Sequence, residues 1–546
     1  MVLRSCLGGG MLAAILVVLL VGGGNGLQAA PTAREAGADL PVVQPTVDCA
    51  SLSRTDVSEA VGAGVGITSA TVGTAQQGHE VCDIKGVIAP QIQFEVQLPT
   101  KTYRQRYLQL GCGGLCGTLA LRVQGADGCM PVTNGWFATA SSNQGHVEGG
   151  SQNGNFGTDP QLRVDFAYRS DHVLALAAKA LIARFYGRGP AYSYFDGCSQ
   201  GGHQGLTEAQ RYPGDFDGIL AGAPASITQE LNTFNQPWLA RVDRDAQGHV
   251  ILPASKLPML HDAVLDECDA RDGLADRQID DPRACRFDPA GLRCAGADAP
   301  TCLTPAQVAV VRRIYSGAVD SRGRHLYPGG QTYGSELAWS PWFIPADPGA
   351  PQDTSIAWSI GNGWVKYLAF WPNPPLDYDV NDVEFSEREF RRAERLADFY
   401  GAKDPDLRAF ERRGGKLVMW HGWADQAIPP TGTIAYYDAI RRRMGGLAAT
   451  QRFARLYMLP GMLHCSGGEG PSSFDLLTPL MEWVERGTGP ERVVARQPQT
   501  GRTRPVFPYP KVARYSGSGD VNDAASFVAA DGPRFDDAFD WLGKFR

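Results

Sequence analysis

The sequence predicts an α/β protein whose largely parallel sheet is interrupted by one long inserted segment. Short apolar runs typical of buried strands alternate with longer runs whose apolar residues recur at helical spacing. This alternation stops at about residue 226 and resumes at about residue 403. The residues between are rich in Asp, Pro, Gly, Cys and Trp. We therefore expect one sheet-based core assembled from two separate parts of the chain.

The first part of the predicted core spans residues 31–225. Its clearest elements are the strand "RYLQLGCGG", which runs into a glycine loop, the strand "WFATASSNQGH", the helix "SDHVLALAAKALIARFYG" and the strand "FDGILAGAPA". Between the last two, "PAYSYFDGCSQGGHQGLTEAQRY" has the pattern of a strand, a tight turn and a helix. This order is typical of a parallel sheet with helices on its faces.

The segment 226–402 is expected to form an inserted domain, and the second part of the core follows it over residues 403–546. There "GGKLVMWHGWADQAIPP" and "RFARLYMLPGMLHC" read as strands with their following loops. The segments "TGTIAYYDAIRRRM" and "LLTPLMEWVERG" have helical spacing. The chain of 546 residues is long enough for two or more domains with full cores.

Composition and the N-terminus narrow the class of protein. Hydrophobic content of 43% and charged content of 20% are ordinary for a globular chain, and the net charge of −7 gives no support to nucleic acid as a partner.

The N-terminus has the pattern of a signal peptide over residues 1–30. It contains Arg4, then the apolar run "MLAAILVVLLVGGG", then small residues near Ala30. A membrane anchor is the alternative. We expect a secreted or periplasmic protein with no membrane attachment after cleavage.

Because the protein is expected to be exported, its cysteines are expected to stabilise the fold as disulfides. Of the twelve cysteines, eleven follow the predicted signal peptide, and in an oxidising compartment most are expected to form disulfides. An odd number leaves one thiol over, which we place among Cys112, Cys116 and Cys129. A zinc site is the competing interpretation, but the chain has no pair of C-x-x-C motifs to support it.

The predicted strand–turn–helix contains Gly-Cys-Ser-Gln-Gly, a match to G-x-S-x-G at residues 197–201. In that context a sharp turn lifts the serine hydroxyl to the edge of the sheet, so Ser199 is a candidate nucleophile. A structural serine in a glycine-rich turn is the alternative.

A serine nucleophile needs a base, and the base needs an acid to orient it. The α/β-hydrolases supply them in the chain order Ser, Asp, His. Asp425 and His464, each in a loop after a predicted strand, fit that order. His421 is a candidate pocket wall, and His203 a packing or surface residue.

The candidate nucleophile and the candidate base each have a cysteine as an immediate neighbour in the sequence. Cys198 precedes Ser199 and Cys465 follows His464. If the serine and the histidine lie within hydrogen-bonding reach, their neighbours are close enough to form a disulfide. Such a bond would hold the catalytic geometry, whereas two buried thiols are the alternative.

The motifs "GCSQGG", "HGWAD", "PGMLHCSGG" and "YPKVARYSGSGDVNDAASF" resemble the tannase and feruloyl esterase family, over about residues 49–527. The resemblance implies an α/β-hydrolase core with a large lid inserted after the strand that follows the nucleophile. It implies that the backbone N–H groups of Gln200 and Gly114, or its neighbour Gly113, form the oxyanion hole. It also implies disulfides joining Cys49 to Cys82, Cys268 to Cys285 and Cys294 to Cys302. The extra Cys112 and Cys116 led us to expect a bond from this glycine loop to Cys129.

The inserted segment contains "CDARDGLADRQIDDPRAC", whose closely spaced carboxylates suit a hard cation. From spacing alone a solvated acidic turn is the better interpretation. The resemblance instead implies a structural calcium ion in this loop. Its expected ligands are the side chains of Asp269, Asp272 and Asp276 with the carbonyls of Leu274 and Gln278. No organic cofactor is implied.

The expected activity is hydrolysis of aromatic carboxylic esters by a secreted serine esterase. The aromatic residues Trp342, Phe343, Trp358 and Trp364 are candidates for the wall of a planar acyl site, although they equally suit the core of the inserted segment. One family member hydrolyses a terephthalate monoester with the help of an arginine in this segment. Here "PQDTSIAWSIGNGW" has no arginine and Lys366 is the nearest cation, which favours neutral gallate or ferulate esters. The alternatives are a terephthalate-monoester hydrolase, another carboxylic ester hydrolase such as a lipase, a peptidase, and a non-catalytic calcium-dependent binding module.

Overall fold

A nine-stranded mixed sheet forms the centre of the computed structural model, which describes residues 37–147, 152–533 and 540–545. The predicted signal peptide, with Cys6, lies outside the described residues. The strands are β1 (Val65–Thr74), β2 (Glu80–Ile88), β3 (Ile92–Pro99), β4 (Arg106–Leu110), β5 (Phe137–Ser142), β6 (Tyr192–Cys198), β7 (Gly218–Gly222), β8 (Lys416–Gly422) and β9 (Ala454–Leu459). Their order in the sheet is β1-β2-β3-β5-β4-β6-β7-β8-β9.

The sheet is parallel where the predicted α/β rhythm is clear and antiparallel before it. Strands β1, β2 and β3 form antiparallel pairs, and β3 pairs antiparallel with β5. From β5 to β9 every neighbouring pair is parallel. The parallel sheet predicted from the sequence is confirmed for these six strands, and their carboxyl ends meet at one edge.

Both faces of the parallel sheet are buried, which explains the nearly continuous apolar runs of its strands. On one face Phe195 and Ile219 pack with residues of the helices α4, α5 and α15. Their sequence neighbours Tyr194 and Leu220 point to the other face and pack with residues of α17. The helices outside the inserted segment are α1 (Ser58–Val61), α2 (Met130–Thr133), α3 (Pro160–Val164), α4 (Ser170–Tyr186), α5 (Gln200–Arg211), α15 (Thr431–Arg443), α16 (Leu447–Thr450) and α17 (Leu477–Arg486).

Residues 223–415 connect β7 to β8 and contribute helices but no strand to the sheet. Their helices are α6 (Thr228–Glu230), α7 (Gln236–Val242), α8 (Leu257–Cys268), α9 (Pro305–Ser316), α10 (Trp339–Trp342), α11 (Ile356–Tyr367), α12 (Glu387–Ala393), α13 (Ala397–Tyr400) and α14 (Arg408–Arg412). They pack around apolar clusters of their own, one of which includes Leu260, Val311 and Trp339. The strands on either side of this segment end at Gly222 and begin at Lys416, and the assignment of residues 226–402 as a separate lid domain remains a prediction.

The last part of the chain adds two small antiparallel sheets. Strands β10 (Val493–Arg496) and β11 (Thr503–Val506) form one, and β12 (Lys511–Tyr515) and β13 (Phe527–Asp531) form the other. Among the described residues, no helix is both long enough and apolar enough to cross a bilayer.

Five disulfides join ten of the described cysteines. They link Cys49 to Cys82, Cys112 to Cys116, Cys198 to Cys465, Cys268 to Cys285 and Cys294 to Cys302. Cys129 is a buried free thiol, so the unpaired cysteine does belong to the triplet in which we placed it. The expected bond from the glycine loop to Cys129 is wrong. Cys112 and Cys116, four residues apart and with Cα atoms 5.4 Å apart, bond to each other within the glycine loop. The Cys129 thiol instead accepts a hydrogen bond from the hydroxyl of Thr478.

Candidate active site

Ser199 occupies the single residue between the end of β6 and the start of α5. Its φ of 66° and ψ of −121° are rare for a residue with a side chain, and they mark the sharp turn that the motif predicts. Glycines make the turn possible. A Cβ on Gly197 would lie 2.7 Å from backbone atoms of Gly201, and a Cβ on Gly202 would lie 2.2 Å from the carbonyl oxygen of Gly222. The Ser199 N–H donates to this same carbonyl at 3.0 Å, which anchors the turn on β7.

Asp425 and His464 come together from the loops that follow β8 and β9. His464 Nδ1 lies 2.7 Å from Asp425 Oδ2, while the backbone N–H groups of Ala427 and Ile428 donate to Oδ1 at 2.8 and 2.9 Å. The two loops pack closely, since the N–H of Ala424 donates to the carbonyl of Met462 at 3.0 Å. The carboxylate is therefore fixed on both oxygens and orients the imidazole ring.

The environment of Asp425 keeps its carboxylate charged. The side chain is fully buried, and burial alone raises its pKa. The charge of His464 and hydrogen bonds from His421 and His464 outweigh burial and hold the pKa well below its usual range. His421 is therefore not the pocket wall that we considered. Its ring is fully buried, with Nε2 3.1 Å from Asp425 Oδ2 and Nδ1 2.8 Å from the hydroxyl of Thr433.

Three contacts position the loop that carries His464. The disulfide of Cys465 with Cys198 ties the histidine loop to the nucleophile turn. The backbone N–H of His464 donates to Gln426 Oε1 at 3.2 Å. The ring of Trp342 lies with its centroid 5.9 Å from that of His464. By contrast His203 is buried in α5, where its Nε2 contacts the carbonyl of Tyr400 at 2.6 Å, as expected of a packing residue.

Ser199 and His464 line one cavity of about 460 Å³. Within the described part of the chain their side chains make no hydrogen bond to each other. Catalytic hydrogen bonds are often long in free enzymes and shorten when substrate binds. The arrangement brings a candidate nucleophile, a base and an oriented acid to the carboxyl edge of the sheet, where sites collect in this architecture.

The glycine loop after β4 forms another part of the cavity wall, with Gly113, Gly114 and Gln200 all lining it. Among the described residues, neither the N–H of Gly114 nor that of Gln200 donates to another group. Gln204 on α5 fixes the loop, because its Oε1 accepts the N–H of Cys112 at 3.0 Å. These two N–H groups are therefore free to bind an oxyanion beside Ser199.

The inserted segment supplies bulky apolar side chains to the wall, and Leu115 and Ile428 add apolar contacts from outside it. Trp342, Ile356 and Ile360 line the cavity, together with Leu231 at the start of a π turn. The other three aromatic candidates do not line it. Phe343 and Trp364 are buried in the apolar clusters of the inserted segment, and Trp358 packs against one of them, so the core interpretation is correct for these three residues.

Among the described residues, the cation that lines the cavity is an arginine that was not a candidate from the sequence. Arg122, in the loop between β4 and α2, lines the cavity, whereas Lys366 on α11 does not. Sequence reasoning missed Arg122 because its loop follows no strand or helix pattern that would place it near Ser199.

The acidic loop after α8 has a compact arrangement that Asp269 organises. Its carboxylate accepts the N–H groups of Asp276, Arg277 and Gln278 at 2.7–3.2 Å. Asp272 accepts the N–H of Leu274 at 3.0 Å, and Asp276 contacts Arg504. In the part of the chain that the structure describes, no group of three or more Asp, Glu, His or Cys side chains is arranged to hold a metal.

Two features of this loop nevertheless suit a cation. Burial and the charges of Asp280 and Asp276 raise the pKa of Asp272 to about 8, so a cation beside this carboxylate would be stabilising even though Arg504 already pairs with Asp276. The buried Oε1 of Gln278 has no hydrogen-bond partner in the described structure. The chemistry of the loop therefore suits calcium, but its carboxylates are not arranged as a complete set of ligands in the described structure. The expected calcium site remains a prediction.

Comparisons with known proteins find a matching family model and several relatives. The family model described as "Tannase and feruloyl esterase" matches residues 76–530. The mono(2-hydroxyethyl) terephthalate hydrolase of Piscinibacter sakaiensis is 34% identical over 83% of this chain and 85% of its own length. A probable feruloyl esterase of Arthroderma benhamiae is 34% identical over 68% of this chain and 69% of its own. The crystal structure of feruloyl esterase B from Aspergillus oryzae superposes with a TM-score of 0.74 at 28% identity, over 85% of this chain and 97% of that one. The predicted α/β-hydrolase-type fold is confirmed.

Proposed function

This chain belongs to the tannase and feruloyl esterase family and is a carboxylic ester hydrolase, and we propose that it is a secreted serine esterase acting on esters of phenolic acids such as ferulate or gallate. The observation that carries the proposal is the cavity shared by Ser199 and the His464–Asp425 pair. A triad of this kind suits acyl transfer from an ester.

In the proposed mechanism the Ser199 hydroxyl attacks the ester carbonyl carbon while His464 accepts its proton. The N–H groups of Gly114 and Gln200 bind the oxygen that becomes negative. His464 then returns the proton to the leaving alcohol, which departs as the acyl-enzyme forms. Water, deprotonated by His464, releases the acid and restores Ser199. Asp425 remains charged and stabilises the imidazolium in both halves of the reaction.

The aromatic acyl group is proposed to lie against the apolar wall formed by Trp342, Ile356 and Ile360. A cavity of about 460 Å³ lies within the range of small-molecule sites, and a planar ring gains most from burial against such a wall. A long acyl chain has no comparable apolar channel among the lining residues, which is why a lipase is the weaker alternative.

We also propose a bound calcium ion and export of the protein. Calcium would bind in the acidic loop through Asp269, Asp272 and Asp276 with the carbonyls of Leu274 and Gln278, and it would neutralise the loop without taking part in catalysis. Export to an oxidising compartment is supported by the five disulfides.

The test is a hydrolysis panel with methyl ferulate, methyl gallate, mono(2-hydroxyethyl) terephthalate and a long-chain fatty ester. We expect the highest kcat/KM on one of the two phenolic methyl esters. The terephthalate monoester is the second candidate, because the relative named for it is 34% identical. Turnover of that ester alone would replace the phenolic assignment, and turnover of the fatty ester alone would contradict both.

A further inference from the structure

The cavity at Ser199 contains one positive charge that no lining acid neutralises. Of the described residues that line it, Arg122 alone is an arginine, lysine, aspartate or glutamate. Its side chain is exposed, and its guanidinium makes no hydrogen bond or ion pair within the described part of the chain. An arginine with five free donors beside a nucleophile favours a planar anion as its partner.

The loop that carries Arg122 is hydrogen-bonded to β6, the strand that ends immediately before the nucleophile. The backbone N–H of Gln124 donates to Asp196 Oδ2 at 2.7 Å, and the N–H of Cys198 donates to Gln124 Oε1 at 3.0 Å. Both partners belong to β6, which ends immediately before Ser199. Arg122 is thus tied to the nucleophile turn through two partly buried hydrogen bonds made by Gln124, two residues further along the chain.

The cavity wall is chemically mixed, but its bulky apolar side chains and its charge come from different parts of the chain. The inserted segment contributes Trp342, Ile356 and Ile360 beside the polar Asn232 and Gln236. The loop after β4 contributes Arg122 together with Leu115, Thr118 and Ala120. An ester held at Ser199 extends in two directions from its carbonyl carbon, one for the acyl group and one for the alcohol. If the aromatic acyl group packs on Trp342, Ile356 and Ile360, the alcohol is left for the side of the cavity that Arg122 lines.

We propose that Arg122 binds a carboxylate carried by the alcohol part of the substrate, so that the preferred substrates are aromatic esters of hydroxy acids. This inference rests on the proposed function and adds the chemical class of the leaving alcohol. A guanidinium and a carboxylate form two parallel hydrogen bonds, which would fix the direction of the alcohol as well as its charge.

Space for such an alcohol continues beyond Arg122. The same residue borders a second cavity of about 380 Å³ that is lined by Gln76, Gln77, His79 and Glu95. Glu95 already accepts a hydrogen bond from Gln97 Nε2 at 2.9 Å. Burial and the charge of Asp83 raise the pKa of Glu95, so it competes less strongly for Arg122 than an ordinary exposed carboxylate would.

The experiment compares two ferulate esters with the same acyl group and alcohols of nearly equal shape. One alcohol is glycolate, which carries a carboxylate, and the other is glycolamide, which is neutral. The measured quantity is the ratio of kcat/KM for the glycolate ester to that for the glycolamide ester, determined within each variant. Comparing ratios between variants cancels the different reactivity of the two alcohols and any partial loss of folded protein.

We expect Arg122→Gln to lower this ratio about five- to tenfold, as the loss of one charge-assisted contact near solvent predicts. The wild-type ratio should also fall as salt is raised, since an exposed ion pair is screened. Lys366→Gln is the matched control, because Lys366 lies on the inserted segment but does not line the cavity, and it should keep the wild-type ratio.

An unchanged ratio in Arg122→Gln, or an equal fall in Lys366→Gln, overturns the inference while ferulate hydrolysis itself stands. If the wild-type protein hydrolyses neither of these esters and neither methyl ferulate nor methyl gallate, the proposed function fails instead. If it accepts methyl gallate but not methyl ferulate, the same comparison is made with the glycolate and glycolamide esters of gallate. The two failures are therefore distinguishable in one set of assays.

Discussion

Cys198 and Cys465 are joined by a disulfide across 267 residues of sequence, and they are the immediate neighbours of Ser199 and His464. The bond connects the end of β6 to the loop after β9, strands that do not pair with each other in the sheet. It therefore ties the candidate nucleophile to the candidate base where hydrogen bonds of the sheet cannot. Small displacements of reacting groups are costly in catalysis, so this covalent link has a direct consequence for rate.

Replacing both cysteines by Ser should lower activity more than stability alone explains. We expect Cys198→Ser with Cys465→Ser to reduce kcat at least about tenfold and the free energy of unfolding by about 2–4 kcal/mol. The measurements are ester hydrolysis well below the melting temperature and denaturant unfolding.

The matched control removes another disulfide of the same chain. Cys294 and Cys302 are eight residues apart in the inserted segment, and neither lines the cavity. Replacing this pair by Ser should leave kcat within about twofold of the wild type. Equal losses of kcat in the two double variants would mean that the Cys198–Cys465 bond has only a general stabilising role.

Asp425→Asn tests the role of the buried carboxylate. Without the charge the imidazolium of His464 is no longer stabilised, and we expect kcat to fall about 10²- to 10⁴-fold with a much smaller change in KM. Asp438→Asn, on α15 and away from the lining of the cavity, is a control in which kcat should be nearly unchanged. A variant Asp425→Asn with near-normal kcat would contradict the assignment of the triad.

His261 predicts a pH dependence of stability. Its ring lies between two carboxylates, with Nδ1 2.7 Å from Glu336 Oε2 and Nε2 2.6 Å from Glu469 Oε2. Burial lowers its pKa, but the hydrogen bonds with Glu336 and Glu469 outweigh burial and raise the pKa from 6.5 to about 9. Because the folded pKa is raised, the stabilisation is complete below pH 6.5 and is lost as pH rises through 9.

The check is the free energy of unfolding of the wild type and of His261→Gln at pH 6, 8 and 10. The difference between the two proteins should be up to about 3 kcal/mol at pH 6 and should shrink towards pH 10. Glu469 lies in the loop after His464, so the contact between His261 and Glu469 also joins α8 to the loop of the candidate base. A difference that is constant with pH would show that His261 does not bind its proton between the two acids.

Removal of divalent metal tests the acidic loop. If calcium binds there, EDTA should lower the melting temperature by several degrees, and added calcium should restore it. The initial rate at 25 °C should change little, because the proposed ion does not touch Ser199 or His464. A melting curve that is the same before and after verified metal removal would exclude a stabilising ion in this loop.

Elements with a clear local pattern were predictable from the sequence. The run that forms β6 and α5 shows its strand, turn and helix in one stretch, and Ser199, Asp425 and His464 follow one another in the chain order typical of α/β-hydrolases. The disulfide of Cys198 with Cys465 was predictable because each cysteine adjoins one of two residues that must come together.

Features that depend on tertiary packing were not predictable in this way. Arg122 lies in a loop without periodicity, and only the fold brings it to the cavity. Trp342 and Trp364 are equally aromatic in sequence, yet one lines the cavity and the other donates to Thr233 inside the inserted segment. The pairing of Cys112 with Cys116 depends on the local turn of the glycine loop, which composition does not reveal.

The most direct test of the central claim is the rate of methyl ferulate hydrolysis by Ser199→Ala beside the wild type, with equal folding verified by melting temperature. The account predicts that the wild type turns over the ester and that the variant loses at least about 10³-fold in kcat. A folded Ser199→Ala protein that hydrolyses methyl ferulate at near wild-type rate would contradict it, since no acyl-enzyme could then form on Ser199.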